Sequence, residues 1–238
     1  MNTRKTIAII DCDYLYDHLK DEYHSYPEMF ARAAQRCDLD LEFCNYSAID
    51  EQLPSPIPEM DGWVIMGSKF GAYEDRPWIN ALKAFIRTLY ERGDKITGVC
   101  FGHQIIHLAL GGEVRKASVG WGVGVHDYEL DHSPEWLPGA RSHLSLIVSH
   151  QDQVIRMAPR AKRIAGSAFC PNAICLIDEQ VLTCQAHPEF TPDYSRQLMN
   201  IRRTCIGEQI VQNGEQSLSK ELHSAVVLNW FETLFKRG

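Results

Sequence analysis

The first half of the chain alternates between short apolar runs and segments with helical periodicity, and few folds accommodate this pattern. Apolar residues that recur every three or four positions predict amphipathic helices, whereas short uninterrupted apolar runs predict buried strands. The predicted strands are KTIAIID (5–11), LDLEFCNY (39–46), DGWVIMGS (61–68) and DKITGVC (94–100), and the predicted helices cover 27–37, 77–93 and 101–112. In such an alternation each helix connects two parallel strands by a right-handed crossover and packs on one face of the sheet or the other. We therefore expect an open, mainly parallel sheet with helices on both faces.

The middle of the chain is rich in strand patterns. Two stretches punctuated by glycine, 113–130 and 143–154, predict strands, and similar patterns continue through residue 190. Two helical segments follow, at 192–212 and 217–236. No repeat, low-complexity tract or linker divides the 238 residues, which are enough to bury a substantial core. We therefore expect one α/β domain over 1–238, with a mixed, mainly parallel sheet and a smaller β-rich insertion.

Composition and charge argue against several classes of partner. The formal net charge is −7, from 31 acidic and 24 basic residues, without a long run of either sign. Proteins that bind nucleic acids or anionic membranes usually present a basic face, so we expect neither partner. No stretch approaches the roughly 20 apolar residues that span a bilayer, and the N-terminal apolar run is too short for a signal peptide. The eight cysteines lack CxxC spacing, which favours free thiols and a cytoplasmic protein.

One stretch, ITGVCFGHQIIHLALGG at 96–112, contains two candidate chemistries. His103 and His107 are spaced four apart, as in zinc-binding helices. In H-E-x-x-H proteases a glutamate activates water, but Gln104 occupies that position here and cannot act as a base, and a third ligand would also be needed. A second group of residues fits no ligand spacing: His126, Asp127 and His132. We therefore expect no metal and no cofactor.

The first half of the same stretch indicates a nucleophile. Cys100 stands between Gly98 and Gly102, where a predicted strand becomes a predicted helix. A nucleophile on such a turn has a strained backbone, and small neighbours relieve the crowding. The turn lies at the carboxyl end of the sheet, where ligands bind in open α/β folds, and the helix N-terminus favours a thiolate. A buried cysteine beside two turn glycines is the alternative explanation.

A candidate general base lies further along the chain. The stretch QAHPEF at 185–190 follows an apolar run, so its histidine also lies at the end of a predicted strand. His187 can accept the thiol proton, and Glu189 can fix the imidazole tautomer and stabilise the imidazolium. Cys100, His187 and Glu189 are therefore the predicted catalytic residues, in an order compatible with a triad on an α/β sheet.

Together these motifs resemble those of the class I glutamine amidotransferases. The family's G-x-C-x-G-x-Q motif matches GVCFGHQ at 98–104, and its HPE motif matches 187–189. Further stretches are similar to the branch that contains the GMP-synthase glutaminase domain and the plant γ-glutamyl peptidases: GSKFGAYEDRPWI (67–79), LGGEVRKASVGWGVG (110–124) and SHQDQV (149–154). The resemblance implies a flavodoxin-like fold with Cys100 as nucleophile, His187 as general base and acid, and Glu189 as the orienting carboxylate.

The resemblance also implies roles for residues around the triad. The backbone amide of Phe101 and those of the loop beginning at Gly67 and Ser68 would form the oxyanion hole. Many family members have a glycine-rich, PGGP-like sequence in that loop, whereas this chain has MGSKFGAYED. The residues that match positions holding the glutamyl group are Gln104, Ser149, His150 and Gln151.

The implied reaction is hydrolysis of a γ-glutamyl C–N bond through a γ-glutamyl thioester. Two versions are compatible with the sequence. Ammonia from glutamine could pass to a separate synthetase or acceptor subunit, or the protein could hydrolyse a γ-glutamyl peptide or amine without ammonia transfer. A non-catalytic ligand-binding or regulatory protein on the same fold is a third hypothesis.

Overall fold

The computed structural model describes residues 4–131, 134–139 and 141–237. Its strands within these ranges are β1 (Lys5–Asp11), β2 (Leu41–Ser47), β3 (Gly62–Ile65), β4 (Ile96–Val99), β5 (Glu113–Lys116), β6 (Gly122–Leu130), β7 (His143–His150), β8 (Asp152–Arg156), β9 (Ala161–Gly166), β10 (Ile174–Ile177) and β11 (Val181–Cys184). The main sheet has the order β2-β1-β3-β4-β11-β10-β9-β6-β7, and β5 pairs with β8 in a small second sheet. The strands from β2 to β11 in this order are parallel, and the remaining pairs are antiparallel. The mixed sheet with a β-rich insertion between β4 and β11 is confirmed.

Helices cover both faces of the main sheet. The described helices are α1 (Asp17–Tyr23), α2 (Tyr26–Arg36), α3 (Pro77–Arg92), α4 (Phe101–Ala109), α5 (Pro192–Ile201), α6 (Arg203–Ile206), α7 (Glu208–Ser217) and α8 (Ser224–Lys236). Successive strand residues point to opposite faces, so Ile7 of β1 joins the core under α2, α5 and α8, whereas Ile10 joins the core under α3 and α4. The central strands β4 and β11 are neighbours, and their carboxyl ends therefore lie side by side.

Two predicted strands are wrong in extent because the chain changes sheets within them. The stretch 113–130 is divided, since β5 ends at Lys116 and β6 begins at Gly122. Between them, Gly120 adopts a φ of 82°, which ends the extended conformation. The stretch 143–154 is divided at Gln151, because β7 pairs with β6 in the main sheet and β8 pairs with β5 in the small one.

The predicted helices differ in the same way near the end of the chain. The segment 192–212 contains three helices, and Gly207, with a φ of 100°, separates the second from the third. The last helix begins at Ser224 rather than near residue 217. Helix α1 was not predicted, whereas α3 agrees with its prediction and is closed by Gly93 in the left-handed conformation.

None of the helices in the described ranges is long and apolar enough to cross a bilayer. The eight cysteines, all within these ranges, form no disulfide. Only Cys205 among them is exposed, and the others are buried or half-buried, in agreement with the predicted free thiols.

Candidate active site

Cys100 lies on a strained turn between β4 and α4. Its backbone has φ 53° and ψ −102°, a region that residues other than glycine rarely adopt. The turn is also closely packed, because a Cβ on Gly102 would lie 2.0 Å from the carbonyl oxygen of Ile65. A Cβ on Gly98 would lie 2.6 Å from the carbonyl carbon of Gly102. The close approach of α4 to the sheet therefore requires both glycines, as the sequence predicted.

The imidazole of His187 is held from two sides. Its Nδ1 lies 2.8 Å from Oε1 of Glu189, and the ring of Phe190 stacks on it with the centroids 3.8 Å apart. Burial disfavours the imidazolium, but the negative charges of Glu189 and Cys100 and hydrogen bonds with both outweigh burial and raise the pKa of His187 well above its usual range. The geometry therefore favours a protonated imidazole between the carboxylate and the sulfur.

Cys100, His187 and the beginning of the loop after β3 converge in one cleft. A Cβ on Gly67 would lie 2.9 Å from Cε1 of His187 and 3.7 Å from Cβ of Cys100, so both side chains lie directly beside Gly67. The cleft is completed by Tyr26, Ser68, Ser149, Phe190, Leu198 and Arg202. It adjoins an outer cavity of about 330 Å³ that Cys100 also lines. The predicted triad and the predicted oxyanion loop thus lie at one site.

Several backbone amides near this cleft have no partner among the described residues: Gly67 and Ser68 line the cleft, and Phe101 directly follows Cys100. Three other amides of the loop after β3 are bonded: Lys69 to Oδ2 of Asp13, Phe70 to Oγ of Ser68, and Gly71 to Oε1 of Glu74. Within the described ranges, no acceptor binds the amides of Gly67, Ser68 or Phe101. These are the amides that the sequence predicted for an oxyanion hole, and they remain available to a ligand.

The residues predicted to hold the glutamyl group all line the outer cavity: Gln104, Ser149, His150 and Gln151. Nε2 of Gln104 donates to the carbonyl of Asp152 at 2.9 Å and to Oε1 of Gln185 at 3.1 Å, so this nitrogen is bound by the protein itself. Burial lowers the pKa of His150 to about 3, and its Nδ1 lies 3.1 Å from the same carbonyl of Asp152. Contact of these four residues with a substrate stays a prediction.

The histidine pair that suggested zinc lies in the core. One potential ligand atom from each of His103, His107 and Cys175 lies within 4.8 Å of the others. However, the amide of Ala158 donates to Nδ1 of His107 at 3.0 Å, so the proton of this neutral ring is on Nε2. That Nε2 faces Oγ1 of Thr183, which also lies 2.8 Å from Nδ1 of His103. A metal bound to Nε2 of His107 would break the hydrogen bond to Thr183. The hydrogen bonds therefore favour a structural role for His103 and His107.

The second group considered for metal binding has other partners. Asp127 accepts hydrogen bonds from Ser145 at 2.6 Å and from Lys220 at 2.8 Å. His126 packs edge-on against Phe169. His132 lies outside the described residues. The two described members are therefore engaged in local contacts.

The buried histidines predict a loss of stability in acid. Burial lowers the pKa of His107 to about 4, so below its ordinary value of 6.5 the unfolded chain binds a proton that the folded chain does not. The free energy of unfolding therefore falls as the pH falls, by about 2 kcal/mol between pH 7 and pH 4.5 for this residue. In denaturant titrations, the decrease in the free energy of unfolding between pH 7 and pH 4.5 should be about 2 kcal/mol smaller for His107→Asn than for the wild type. The matched control is His18→Asn, which makes the same substitution at an exposed position.

Three contacts at the site were not predicted. Asp13, just beyond β1, is 2% exposed, and its carboxylate binds both Nζ and the amide of Lys69, which fixes the loop that follows Gly67. Gln185 places Nε2 3.5 Å from Sγ of Cys100. Arg202 borders the cleft. An acid after a strand and a glutamine two residues before His187 were visible in the sequence, whereas nothing distinguished Arg202.

Comparisons with known proteins identify the family of this chain. The model of the family "Glutamine amidotransferase class-I" matches residues 18–202. Gamma-glutamyl peptidase 3 of Arabidopsis thaliana is 27% identical over 195 residues, which cover 79% of this chain and 76% of that protein. The glutamine-hydrolyzing GMP synthase of Lachnospira eligens is 27% identical over 213 residues, 85% of this chain and 39% of the synthase. A solved glutamine amidotransferase structure from Thermotoga maritima has a TM-score of 0.76 at 16% identity, covering 98% of this chain and 99% of that one. The resemblance inferred from the motifs is confirmed, and the chain belongs to the class I glutamine amidotransferase family.

Proposed function

We propose that this protein hydrolyses the γ-glutamyl C–N bond of a glutamine-like substrate, with Cys100 as nucleophile, His187 as general base and acid, and Glu189 as the orienting carboxylate. The observation that supports this most directly is that a thiol on a strained turn lines the same cleft as the imidazole of a buried His–Glu pair, whose Nδ1–Oε1 distance is 2.8 Å. A thiol paired with a histidine is the arrangement of a covalent cysteine catalyst. Membership of an enzymatic family supports the same conclusion.

The reaction follows from these positions. The thiolate of Cys100 attacks the δ-carbonyl carbon, and the carbonyl oxygen becomes an oxyanion. His187 donates its proton to the nitrogen as the C–N bond breaks, so the amine leaves neutral and a γ-glutamyl thioester remains. The now neutral His187 accepts a proton from water, which attacks the thioester, and the breakdown of that adduct releases glutamate and restores the thiolate.

The proposed oxyanion donors are the unbonded amides of Gly67, Ser68 and Phe101. They belong to two different strand ends that meet at Cys100. One such donor contributes roughly 10²–10³ to the rate of acyl transfer, because it stabilises charge that develops only in the transition state. Backbone donors are compatible with the unusual sequence of this loop, since they do not depend on the side chains.

Arg202 is the proposed receptor for the α-carboxylate of the glutamyl group. It lines both the cleft and the outer cavity, and no carboxylate of the described residues pairs with it. Its closest polar partners are Oγ of Ser149 and the hydroxyl of Tyr16, both at 3.4 Å, which leaves most of its donors unused. By contrast, the adjacent Arg203 is paired with two glutamates. A half-buried guanidinium of this kind favours an anionic group on the ligand.

Replacing this arginine should therefore weaken substrate binding. Arg202→Met keeps the length of the side chain, and we expect KM for a γ-glutamyl substrate to rise about 10- to 100-fold with a smaller change in kcat. Steady-state kinetics of Arg203→Met provide the matched control, with KM close to that of the wild type. Equal KM values for the two variants would mean that the glutamyl carboxylate is bound elsewhere. Activity on 4-aminobutanamide, which lacks this carboxylate, should not distinguish Arg202→Met from the wild type.

The size of the outer cavity favours a leaving group larger than ammonia. The cavity of about 330 Å³ contains the residues predicted to hold the glutamyl group, and it also presents aromatic and basic side chains, among them Tyr73, Trp121 and Lys116. These could contact a peptide or amine joined to the glutamyl group. The likeness to a GMP synthase supports the other version, in which glutamine is the substrate and a separate synthetase or acceptor subunit consumes the ammonia.

A substrate panel tests the proposed function. We expect the wild type to release glutamate from at least one of glutamine, γ-glutamyl dipeptides, glutathione and γ-glutamyl polyamines, at least about 10³-fold faster than Cys100→Ala. Preference for a peptide or polyamine supports the hydrolase, whereas rapid turnover of glutamine alone supports ammonia transfer. If no substrate is cleaved and a diazo-ketone analogue of glutamine forms no adduct with Cys100, the protein is a non-catalytic binder.

A further inference from the structure

A chain of two buried side-chain amides ends at the sulfur of Cys100. It starts at the carbonyl oxygen of Asp152, which lies 2.9 Å from Nε2 of Gln104. The same Nε2 lies 3.1 Å from Oε1 of Gln185, and Nε2 of Gln185 lies 3.5 Å from Sγ of Cys100. Gln104 is 3% exposed and Gln185 is fully buried, so water does not compete for these contacts.

The backbone carbonyl of Asp152, where this series of hydrogen bonds begins, determines the orientation of both side-chain amides. A backbone carbonyl can only accept a hydrogen bond, so the atom of Gln104 that faces Asp152 is the nitrogen rather than the oxygen. The second proton of that nitrogen points to Gln185, whose facing atom must then be its oxygen. The nitrogen of Gln185 is left at the sulfur. The nucleophile therefore faces an N–H donor rather than a carbonyl oxygen.

A hydrogen-bond donor in this position binds the thiolate of Cys100 more strongly than its neutral thiol. A thiolate accepts a stronger hydrogen bond than a neutral thiol, so the donor favours the anion, and the low dielectric of the buried site strengthens this hydrogen bond. The charged groups that share the cleft with Cys100 are Arg202 and His187, whose raised pKa favours the imidazolium, and the outer cavity adds Lys69, Glu74, Lys116 and Asp152. The other titratable neighbours of Cys100 are the buried Cys170, Cys184 and Tyr128. Burial raises the pKa of the last three, so they are neutral and contribute no charge.

We propose that Gln185 stabilises the thiolate of Cys100 by donating a hydrogen bond to it, and that Gln104 is a positioning residue that sets the orientation of the Gln185 amide. This proposal rests on the proposed function in so far as Cys100 is the nucleophile there. It assigns Gln104 a role within the protein, in addition to any contact with substrate. Gln185 thus supplements His187, which supplies the positive charge near the sulfur.

The test is the rate at which iodoacetamide alkylates Cys100 at different pH values, followed by mass spectrometry of its peptide. The thiolate attacks the carbon bound to iodine and iodide leaves, so the rate reports the fraction of thiolate. A Cys205→Ser background removes the exposed thiol that lines the same cavity. No substrate is required, so the result does not depend on whether the γ-glutamyl reaction is correct.

For Gln185→Leu we expect the midpoint of the pH profile of alkylation to be displaced upward by about one unit, so that alkylation at pH values well below the wild-type midpoint is about tenfold slower. The matched control is Gln153→Leu, which removes another buried glutamine, bonded to the carbonyl of Phe169, and should reproduce the wild-type profile. A wild-type profile for a folded Gln185→Leu variant would overturn the proposal.

A second variant tests the orientation of the two side-chain amides, and it can replace Gln185→Leu as the test if that variant does not fold. Gln104→Glu offers only acceptors when ionised, so Gln185 should turn its nitrogen toward the new carboxylate and its oxygen toward the sulfur. We expect the midpoint of its alkylation profile to move upward at least as far as in Gln185→Leu. Gln104→Leu removes the orienting bond without reversing it, so its effect should be smaller. Equal profiles for wild type, Gln104→Glu and Gln104→Leu would contradict the assigned orientation.

Discussion

Cys100→Gly should be more stable than Cys100→Ala by about 1–2 kcal/mol, although both variants should have lost glutamate release. The reason is the φ of 53° at this position, which alanine adopts with strain and glycine adopts without it. In an ordinary helix the same comparison has the opposite sign, since glycine there is less stable than alanine by roughly 0.5–1 kcal/mol. Denaturant unfolding of the two variants measures the strain of the nucleophile turn directly.

The exposed Ala84 in the middle of α3 provides the control, because Ala84→Gly makes the same chemical change in a regular helix. We expect this substitution to destabilise the protein. If alanine were the more stable residue at both positions, the turn would hold no strain. Stability and catalysis would then not conflict at Cys100.

Gly67→Ala should lower kcat by about 10²-fold while the protein remains folded, because displacing reacting groups by about 1 Å has effects of this size. The added Cβ would lie 2.9 Å from Cε1 of His187. The imidazole cannot yield easily, since Glu189 binds one side and Phe190 stacks on its face. The loop or the ring must therefore move, and either movement separates the amide of Gly67, the imidazole and the sulfur.

Steady-state kinetics and thermal unfolding of the same preparations test this expectation. Ser68→Ala is the matched control, because it changes the neighbouring side chain and keeps the backbone amide. We expect its kcat to stay within about fivefold of the wild type, as the loss of one hydrogen bond to Phe70 is a modest change. A wild-type kcat for Gly67→Ala would argue against the contact between this loop and His187. A large decrease in kcat for Ser68→Ala would mean that the hydroxyl of Ser68, rather than a backbone amide, stabilises the oxyanion.

The sequence predicted those parts of the site that depend on local patterns. The elbow at Cys100 follows from two flanking glycines, and the positions of His187 and Glu189 follow from an apolar run that ends there. The parallel strands were also predicted, because their apolar runs are short and each is bounded by a helix. In these cases, residues close together in the chain determine the structure.

The remaining parts depend on contacts between distant segments. The chain from Asp152 to Cys100 joins β8, α4 and the end of β11, and no spacing in the sequence relates them. The break at Gln151 arises because consecutive residues pair with strands of different sheets. Arg202 could not be identified because its distinguishing property is the lack of a carboxylate partner among the described residues.

The contact between Gly102 and the carbonyl of Ile65 has a consequence for the energy of the reaction. Phe101 directly precedes Gly102, and Gly67 follows Ile65 by two residues, so the proposed oxyanion donors stand on either side of one backbone-to-backbone contact. Their separation is therefore determined when the sheet and α4 pack during folding. The donors are preorganised, and the entropy of orienting them is lost once, in folding, rather than in each turnover. We expect the empty enzyme and the thioester intermediate to share the same geometry at these amides.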